Sequence, residues 1–299
     1  MLTVKDLSKL YKDDLSRTQK IVLEGLNLSF PKGKTTALMG HNGAGKTTLI
    51  RLILGLAFPS QGSIHLEGRP ITRQDRIRLG YLPETDHISL TLTPREILTY
   101  HLKLFRPLHP SPKQVIEKFL EKTGISPHAD RRSNFLSKGQ RRRIAWSQAI
   151  IHDPDIIILD EPFSGLDPQG RADMASWILE ARKQSKTIIL CTHDIRVTHH
   201  LADQIIILKS GKCVWESKDE NLENFRLEIE NTLPDGLEPP ISHTHNGNIH
   251  VYTWNQSQHA LDALLSCHKM DIRILSFTTE RLPNDLRQKD FFVPTEPSL

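Results

Sequence analysis

Apolar residues follow two different rhythms along this chain. Over roughly the first 35 residues they alternate with polar ones, as in LTVKDL and IVLEGLNLSF, so antiparallel strands with one wet face are expected there. Further on, short aliphatic runs come unbroken between turn residues: Thr35–Gly40, DIIILD ending at Asp160, TIILCT, and QIIILKSGKCVWE. Such runs suit strands buried on both faces, hence a parallel sheet covered by helices. Ser63–Leu66 and Arg78–Leu82 are further strand candidates.

From about Glu84 to His152 the texture is helical. Thr93-Pro-Arg-Glu96 has the form of a capping box with proline at the first helical position, launching a helix to about Phe105. Ser111-Pro-Lys-Gln114 repeats the device, and Gly124 suits the stop. A helix over Gly170–Lys183 then separates two of the aliphatic runs. Composition shifts near Asn221, and Thr232–Asn248, rich in Pro, Gly, Asn and His, reads as a linker or loop. A strand (Ile249–Trp254), a helix (Gln258–His268), a strand (Ile272–Thr278) and a last short helix should follow as a small α+β appendage.

With 299 residues, 37% of them hydrophobic and 25% charged, the chain can bury a sizeable core. The longest strictly aliphatic stretches, Ile156–Leu159 and Ile205–Leu208, fall far short of the ~20 residues that cross a bilayer. The first residues hold no apolar run of signal-peptide type, so residence in the cytoplasm is expected. Cys191, Cys213 and Cys267 are too few and too scattered for a disulfide framework or a CxxC metal site, and reduced thiols are expected. A net charge of +4 is too mild to argue for nucleic acid.

Gly40-His41-Asn42-Gly43-Ala44-Gly45-Lys46-Thr47 fits GxxxxGK[ST], with a strand before it and the apolar helix TLIRLILGL after. Its glycines let backbone N–H groups curl around an anion. Lys46 reaches β- and γ-phosphates, and the Thr47 hydroxyl suits Mg²⁺. Asp160-Glu161 ends an apolar strand, at the sheet edge where ligands of open α/β sheets bind. Asp160 suits Mg²⁺, and Glu161 suits a general base for an attacking water.

Leu136-Ser137-Lys138-Gly139-Gln140, followed by RRRIAWSQAII, resembles the LSGGQ signature of ABC-type ATPases, with Lys138 where the commonest version has Gly. Other landmarks stand in family order. Tyr11 is placed like the aromatic that stacks on adenine, Tyr81-Leu-Pro-Glu84 like the Q-loop, Ser164-Gly-Leu-Asp167 like the D-loop, and Thr192-His193-Asp194 like the switch histidine. The resemblance covers roughly residues 2–220. It implies an α/β P-loop NTPase (ABC ATPase) with an antiparallel β-subdomain and a helical subdomain at about 85–152. Residues 1–220 would form the nucleotide-binding domain and 221–299 an accessory or regulatory domain.

The same resemblance implies an ATP hydrolase using ATP and Mg²⁺. Lys46, Glu161 and His193 would be catalytic, and Thr47, Glu84 and Asp160 would hold the metal. Tyr11, the loop from Gly40 to Thr48 and Glu84 would bind nucleotide with Asp160. In the family two domains face head to tail, so Ser137, Gly139, Gln140 and Asp167 would meet the nucleotide of a second copy. Glu84 stands where most members carry Gln, and a carboxylate cannot donate a hydrogen bond as an amide does.

The YLPE wording, the LSKGQ signature and the appendage resemble ATPase subunits of ABC-2 type exporters. These serve drug, polysaccharide or sodium efflux, or copper-enzyme maturation, and the wording bears a slight resemblance to the last. A separate membrane permease is implied, docked near Glu84–Glu96, with a homodimer of this chain on the cytoplasmic face of the cell membrane. The rival readings are a soluble ABC ATPase acting on ribosomes or nucleic acid, and an importer ATPase. One phosphate loop, one signature and no heptad run count against the first. The YLPE form and the appendage lean away from the second. Arg141–Arg143 are expected on a solvated or ion-paired helix face rather than as a nucleic-acid patch. His243, His245 and His250 are expected in a polar loop beside a strand rather than on a metal, because no Cys or carboxylate cluster joins them.

Overall fold

The alternating N-terminal segment forms β1 (Leu2–Lys12) and β2 (Gln19–Phe30), paired antiparallel in a four-stranded sheet of order β2-β1-β4-β5. β3 (Thr35–Met39) belongs to the second sheet, while β4 (Gln61–Leu66) and β5 (Arg69–Pro70) complete the first. The computed structural model describes residues 1–12, 19–106, 110–193, 201–216, 225–234, 236–237, 240, 242–254, 263, 272 and 274–279. They divide into two compact units, Met1–Glu216 and Ser217–Leu299.

The aliphatic runs build a six-stranded sheet of order β10-β9-β3-β8-β7-β6, from β6 (Leu79–Leu82), β7 (Ile156–Asp160), β8 (Thr187–Cys191), β9 (Gln204–Lys209) and β10 (Lys212–Glu216). Pairing is parallel from β9 through β3, β8 and β7 to β6, and β10 folds back antiparallel on β9. Every residue of β3, β7 and β8 is buried. Alternate residues face opposite cores. Ile157, Leu159, Ile188 and Leu190 join a cluster with Trp146 and Trp177, while Ile156, Ile158, Ile189 and Cys191 join one with Leu2, Leu23 and Leu49. The sheet is thus a shared wall, which is why its strands lack a polar face.

Among the described residues, five helices of this unit cover the wall: α1 (Lys46–Ile53), α2 (Pro94–Phe105), α3 (Pro112–Lys122), α4 (Lys138–Ile150) and α5 (Pro168–Lys183). The expected capping box at Thr93 forms: its hydroxyl accepts from Glu96 N–H and the Glu96 carboxylate from Thr93 N–H. The one expected at Ser111 does not. Thr93 has an extended ψ of 157°, which aims the side chain at the helix, whereas Ser111 has ψ 63° and makes no side-chain cap. Gly124, at φ +68°, ends α3 as expected. Among the described residues no helix is long and apolar enough to cross a membrane.

The second unit holds a four-stranded antiparallel sheet of order β12-β13-β11-β14, from β11 (Phe225–Glu230), β12 (Ser242–Asn246), β13 (Ile249–Trp254) and β14 (Ile274–Thr279). This corrects two expectations. Ser242–Asn246 is a strand rather than loop, because Gly247 (φ +62°) turns the chain back and pairs Asn246 with Ile249. His243 and His245 therefore lie on that strand, opposite Tyr252 and His250. β11 had no counterpart in the sequence reading. The helices expected at Gln258–His268 and at the end of the chain lie outside the described residues, Ala263 apart.

One histidine pair, His152 buried and His101 half-buried, gives the first unit a pH signature. His101 Nε2 on α2 lies 3.2 Å from His152 Nδ1, and His152 Nε2 lies 3.1 Å from the Leu79 carbonyl oxygen. Burial, and then the neighbouring His152, holds His101 down to about 4, and burial lowers His152 as well. A histidine kept neutral in the fold protonates first in the unfolded chain. Its contribution is intact above about pH 6.5 and is lost as pH falls toward 4. The melting temperature should therefore drop across that window, and the drop should be shallower in His101→Gln. Equal slopes in the two proteins, followed by circular dichroism, would refute the assignment.

Candidate functional site

Beyond Met39 the chain leaves the central strand and turns through Gly40, Gly43 and Gly45 at φ +148°, +83° and +107° before α1 begins at Lys46. Two of these glycines answer close approaches. A Cβ on Gly40 would collide with the Leu208 carbonyl oxygen at the end of β9, and one on Gly45 would sit 2.5 Å from Leu23 Cδ2. The loop is also pinned from outside. Gly211 N–H donates to Ala44 O (3.0 Å), and Glu24 N–H donates to Gly211 O (3.0 Å). Lys46 is buried, and its ammonium donates to the carbonyls of Gly40 (2.5 Å) and His41 (3.2 Å), so the loop wraps its own lysine.

A cleft of about 550 Å³ opens over this loop. It brings together His41, Asn42, Gly43, Gly45, Lys46, Thr47 and Thr48 with the three sequence-predicted carboxylates Glu84, Asp160 and Glu161. Asp160 closes β7 and is nearly buried. Its carboxyl is pushed up to about 6, first by that burial and then by Glu84 and Glu161 beside it. Three carboxylates facing phosphate-binding N–H groups suit a cation brought in with an anion. Thr47, Glu84 and Asp160 are the hard oxygen donors that Mg²⁺ takes. Among the described residues no three His, Cys, Asp or Glu side chains form a metal site on their own, so such a cation would also need ligand oxygens.

Glu161 leaves the strand at φ +44°, left-handed for a non-glycine residue, with its N–H donating to Cys191 O (2.9 Å). The turn carries its side chain to His193, just past β8: Nδ1 lies 2.8 Å from Oε1, with the imidazole N–H donating to the carboxylate. Glu161 is mostly enclosed while His193 is largely exposed, at 13% and 73%. Asp194 lies outside the described residues.

The remaining predicted residues are elsewhere. Ser137 N-caps α4 in a capping box, its hydroxyl accepting from Gln140 N–H (3.1 Å) and Gln140 Oε1 accepting from Ser137 N–H (2.9 Å). Lys138 lays its side chain against Gly165, which turns at φ +67°. Asp167 caps α5 through Gly170 N–H (2.9 Å). Ser137, Gly139, Gln140 and Asp167 line a second cleft of about 360 Å³ that shares no residue with the first. Tyr11, 40% exposed on β1, pairs across the sheet with Lys20, which lines the first cleft; Tyr11 itself does not.

The burial of Arg142 was not legible from its run of arginines. It forms an ion pair with Asp86 (2.9 Å), as the ion-paired alternative has it, but it is 2% exposed and its guanidinium spans the segments carrying Glu84 and Asp160-Glu161. A signal was available. Arg142 shares one helical stripe with Ala145, Trp146 and Ala149, all buried. Arg143 does form the expected ion pair, with Asp173.

A phosphate loop at the end of a central parallel strand, facing carboxylates on a strand beyond β8, defines a P-loop nucleoside triphosphatase. Comparison with known proteins narrows this. A family model described as ABC transporter matches residues 23–164. An uncharacterised ABC transporter ATP-binding protein of Nostoc sp. is 38% identical over 227 residues, covering 74% of this chain and 68% of that one. The Nod factor export ATP-binding protein I of Cupriavidus metallidurans is 32% identical over 244 residues, covering 80% and 78%. A bacterial ABC transporter cassette solved as a dimer superposes with a TM-score of 0.67 at 25% identity, covering 73% of this chain and 98% of that one. The chain belongs to the ABC transporter ATP-binding proteins, and it is an ATP-binding ATPase.

The loop geometry makes a test of its own. Gly40→Ala puts a Cβ onto the Leu208 carbonyl, so the loop must open. Affinity for a fluorescent ATP analogue should then fall about tenfold or more, with the far-UV spectrum unchanged. Affinity within twofold of wild type would mean that the loop yields without cost.

Proposed function

We propose that this chain is the ATP-hydrolysing subunit of an exporter, working as a head-to-tail pair of copies on a separate membrane permease of the ABC-2 type. One observation carries the reading: the phosphate loop with its carboxylates and the signature residues line separate clefts of the same chain. Neither cleft alone surrounds a nucleotide. Two copies facing head to tail would close each phosphate loop with the other's Ser137, Gly139, Gln140 and Asp167. The dimeric cassette among the structural relatives and the export function in the name of the Cupriavidus relative support this.

In that arrangement Tyr11 stacks on adenine, while Lys46 and the N–H groups of Gly43–Thr48 hold the β- and γ-phosphates. Thr47, Asp160 and Glu84 would hold Mg²⁺, which when bound with the nucleotide neutralises phosphate charge. Glu84 fills the position as an oxygen ligand only, since a carboxylate has no proton to donate. Glu161 takes a proton from the attacking water, whose oxygen bonds to the γ-phosphorus. The bond from that phosphorus to the bridging oxygen breaks, leaving ADP and phosphate. His193, donating to Glu161, keeps the carboxylate aimed. The signature helix of the partner supplies the dipole and N–H groups that favour the closed pair, and loss of the γ-phosphate link reopens it. A subunit working in this way sits on the cytoplasmic face of the membrane through its permease, with no nucleic acid as partner.

Glu161→Gln keeps shape and hydrogen bonding but cannot accept the proton. Hydrolysis should fall about a hundredfold or more, and gel filtration with ATP should show a stable dimer with unhydrolysed nucleotide. Turnover at the wild-type rate would remove Glu161 as the base. Affinity capture of the tagged chain from detergent-solubilised membranes should recover an integral membrane protein in near-equal amount. Ribosomal or DNA-bound partners without such a protein would overturn the exporter reading.

A further inference from the structure

We infer that Arg142 is a positioning residue that makes this chain's catalytic carboxylates respond to what docks at the start of its own α4. The inference rests on the paired reading above, in which the partner's nucleotide meets α4 at Ser137. Arg142 lies about one and a half turns further along that helix, with 2% of its surface exposed.

Its guanidinium reaches six acceptors. Nη1 donates to Pro83 O (2.5 Å), Glu84 O (3.2 Å) and Asp86 Oδ1 (2.9 Å). Nη2 donates to Asp160 O (3.3 Å) and Glu161 O (2.9 Å), and Nε donates to Pro162 O (3.3 Å). Three of these acceptors are the backbone carbonyls of Glu84, Asp160 and Glu161, the carboxylates of the phosphate cleft. Pairing between β6 and β7 ends at Leu82 opposite Leu159. Beyond that point the arginine, rather than the sheet, ties the two segments together.

The fork is planar and rigid, so a small shift of α4 moves all three backbones at once. The capping box stiffens the end of α4 that would receive the push, and rigid elements of this kind carry coupling between sites. A buried arginine that only stabilised the fold would not need to hold both carboxylate-bearing segments from the signature helix.

The purified full chain tests this through the ATP dependence of hydrolysis. Arg142→Lys keeps the charge but loses the fork. Fluorescent ATP-analogue affinity of the chain at monomeric concentration should stay within about twofold, while kcat falls about tenfold to a hundredfold. The Hill coefficient, above 1 in wild type, should fall toward 1. Asp86→Asn, which loosens the carboxylate anchor and leaves the arginine in place, should shift both readouts the same way and serves if the lysine variant does not fold. A folded variant of either kind with wild-type kcat and Hill coefficient overturns the inference, even with a lower melting temperature. So does a wild-type Hill coefficient of 1. Gel filtration of Glu161→Gln with ATP separates the two levels: no dimer sinks the paired reading, while a dimer alongside unaltered cooperativity in Arg142→Lys sinks the role of Arg142 alone.

Discussion

The pairing of Asp160 with Cys191, where β7 and β8 end side by side, is the constraint on which the site depends. Both strands are buried on both faces, so neither can slide without exposing unpaired backbone or burying the wrong residues. Past that pair the Glu161 N–H still reaches Cys191 O, and only then do the chains diverge. That last bond sets where Glu161 turns and where His193, two residues beyond Cys191, meets it. At the same edge β3 releases the phosphate loop and β6 releases Glu84. Parallel pairing is what makes four strands finish at one edge, and the chemistry gathers there because its carriers follow those ends.

Much of this was legible in the sequence for a physical reason. Strands that form a wall between two cores have no polar face, so their aliphatic runs stand out unbroken. The phosphate loop is equally plain because its demand for left-handed backbone can be met only by glycine at particular spacings. Legibility fails where the deciding partner is distant in sequence. Arg142 looks like any surface arginine until the carbonyls of Pro83, Asp160 and Glu161 close around it. Ser111 has the letters of a capping box, but its backbone angle belongs to the incoming chain. β12 carries histidine, threonine and asparagine rather than β-branched aliphatics, because at the sheet edge it pairs on one side only.

The two departures from the commonest family wording change charge at opposite ends of the mechanism. Glu84 adds a third carboxylate to a cleft already holding Asp160 and Glu161, and it raises an Asp160 carboxyl that burial has already pushed up. Lys138 adds an ammonium at the start of α4, folded along Gly165, where the next turn leads to Asp167.

Glu161 occupies backbone space that glycine fills without strain, and such a conformation costs a larger residue on the order of 1–3 kcal/mol. Drift toward a more stable protein would therefore favour losing the very side chain that meets His193. Copies in which turnover no longer mattered would relax first at this residue. A glycine found here in a related chain would mark a cassette that had kept its architecture and given up its chemistry.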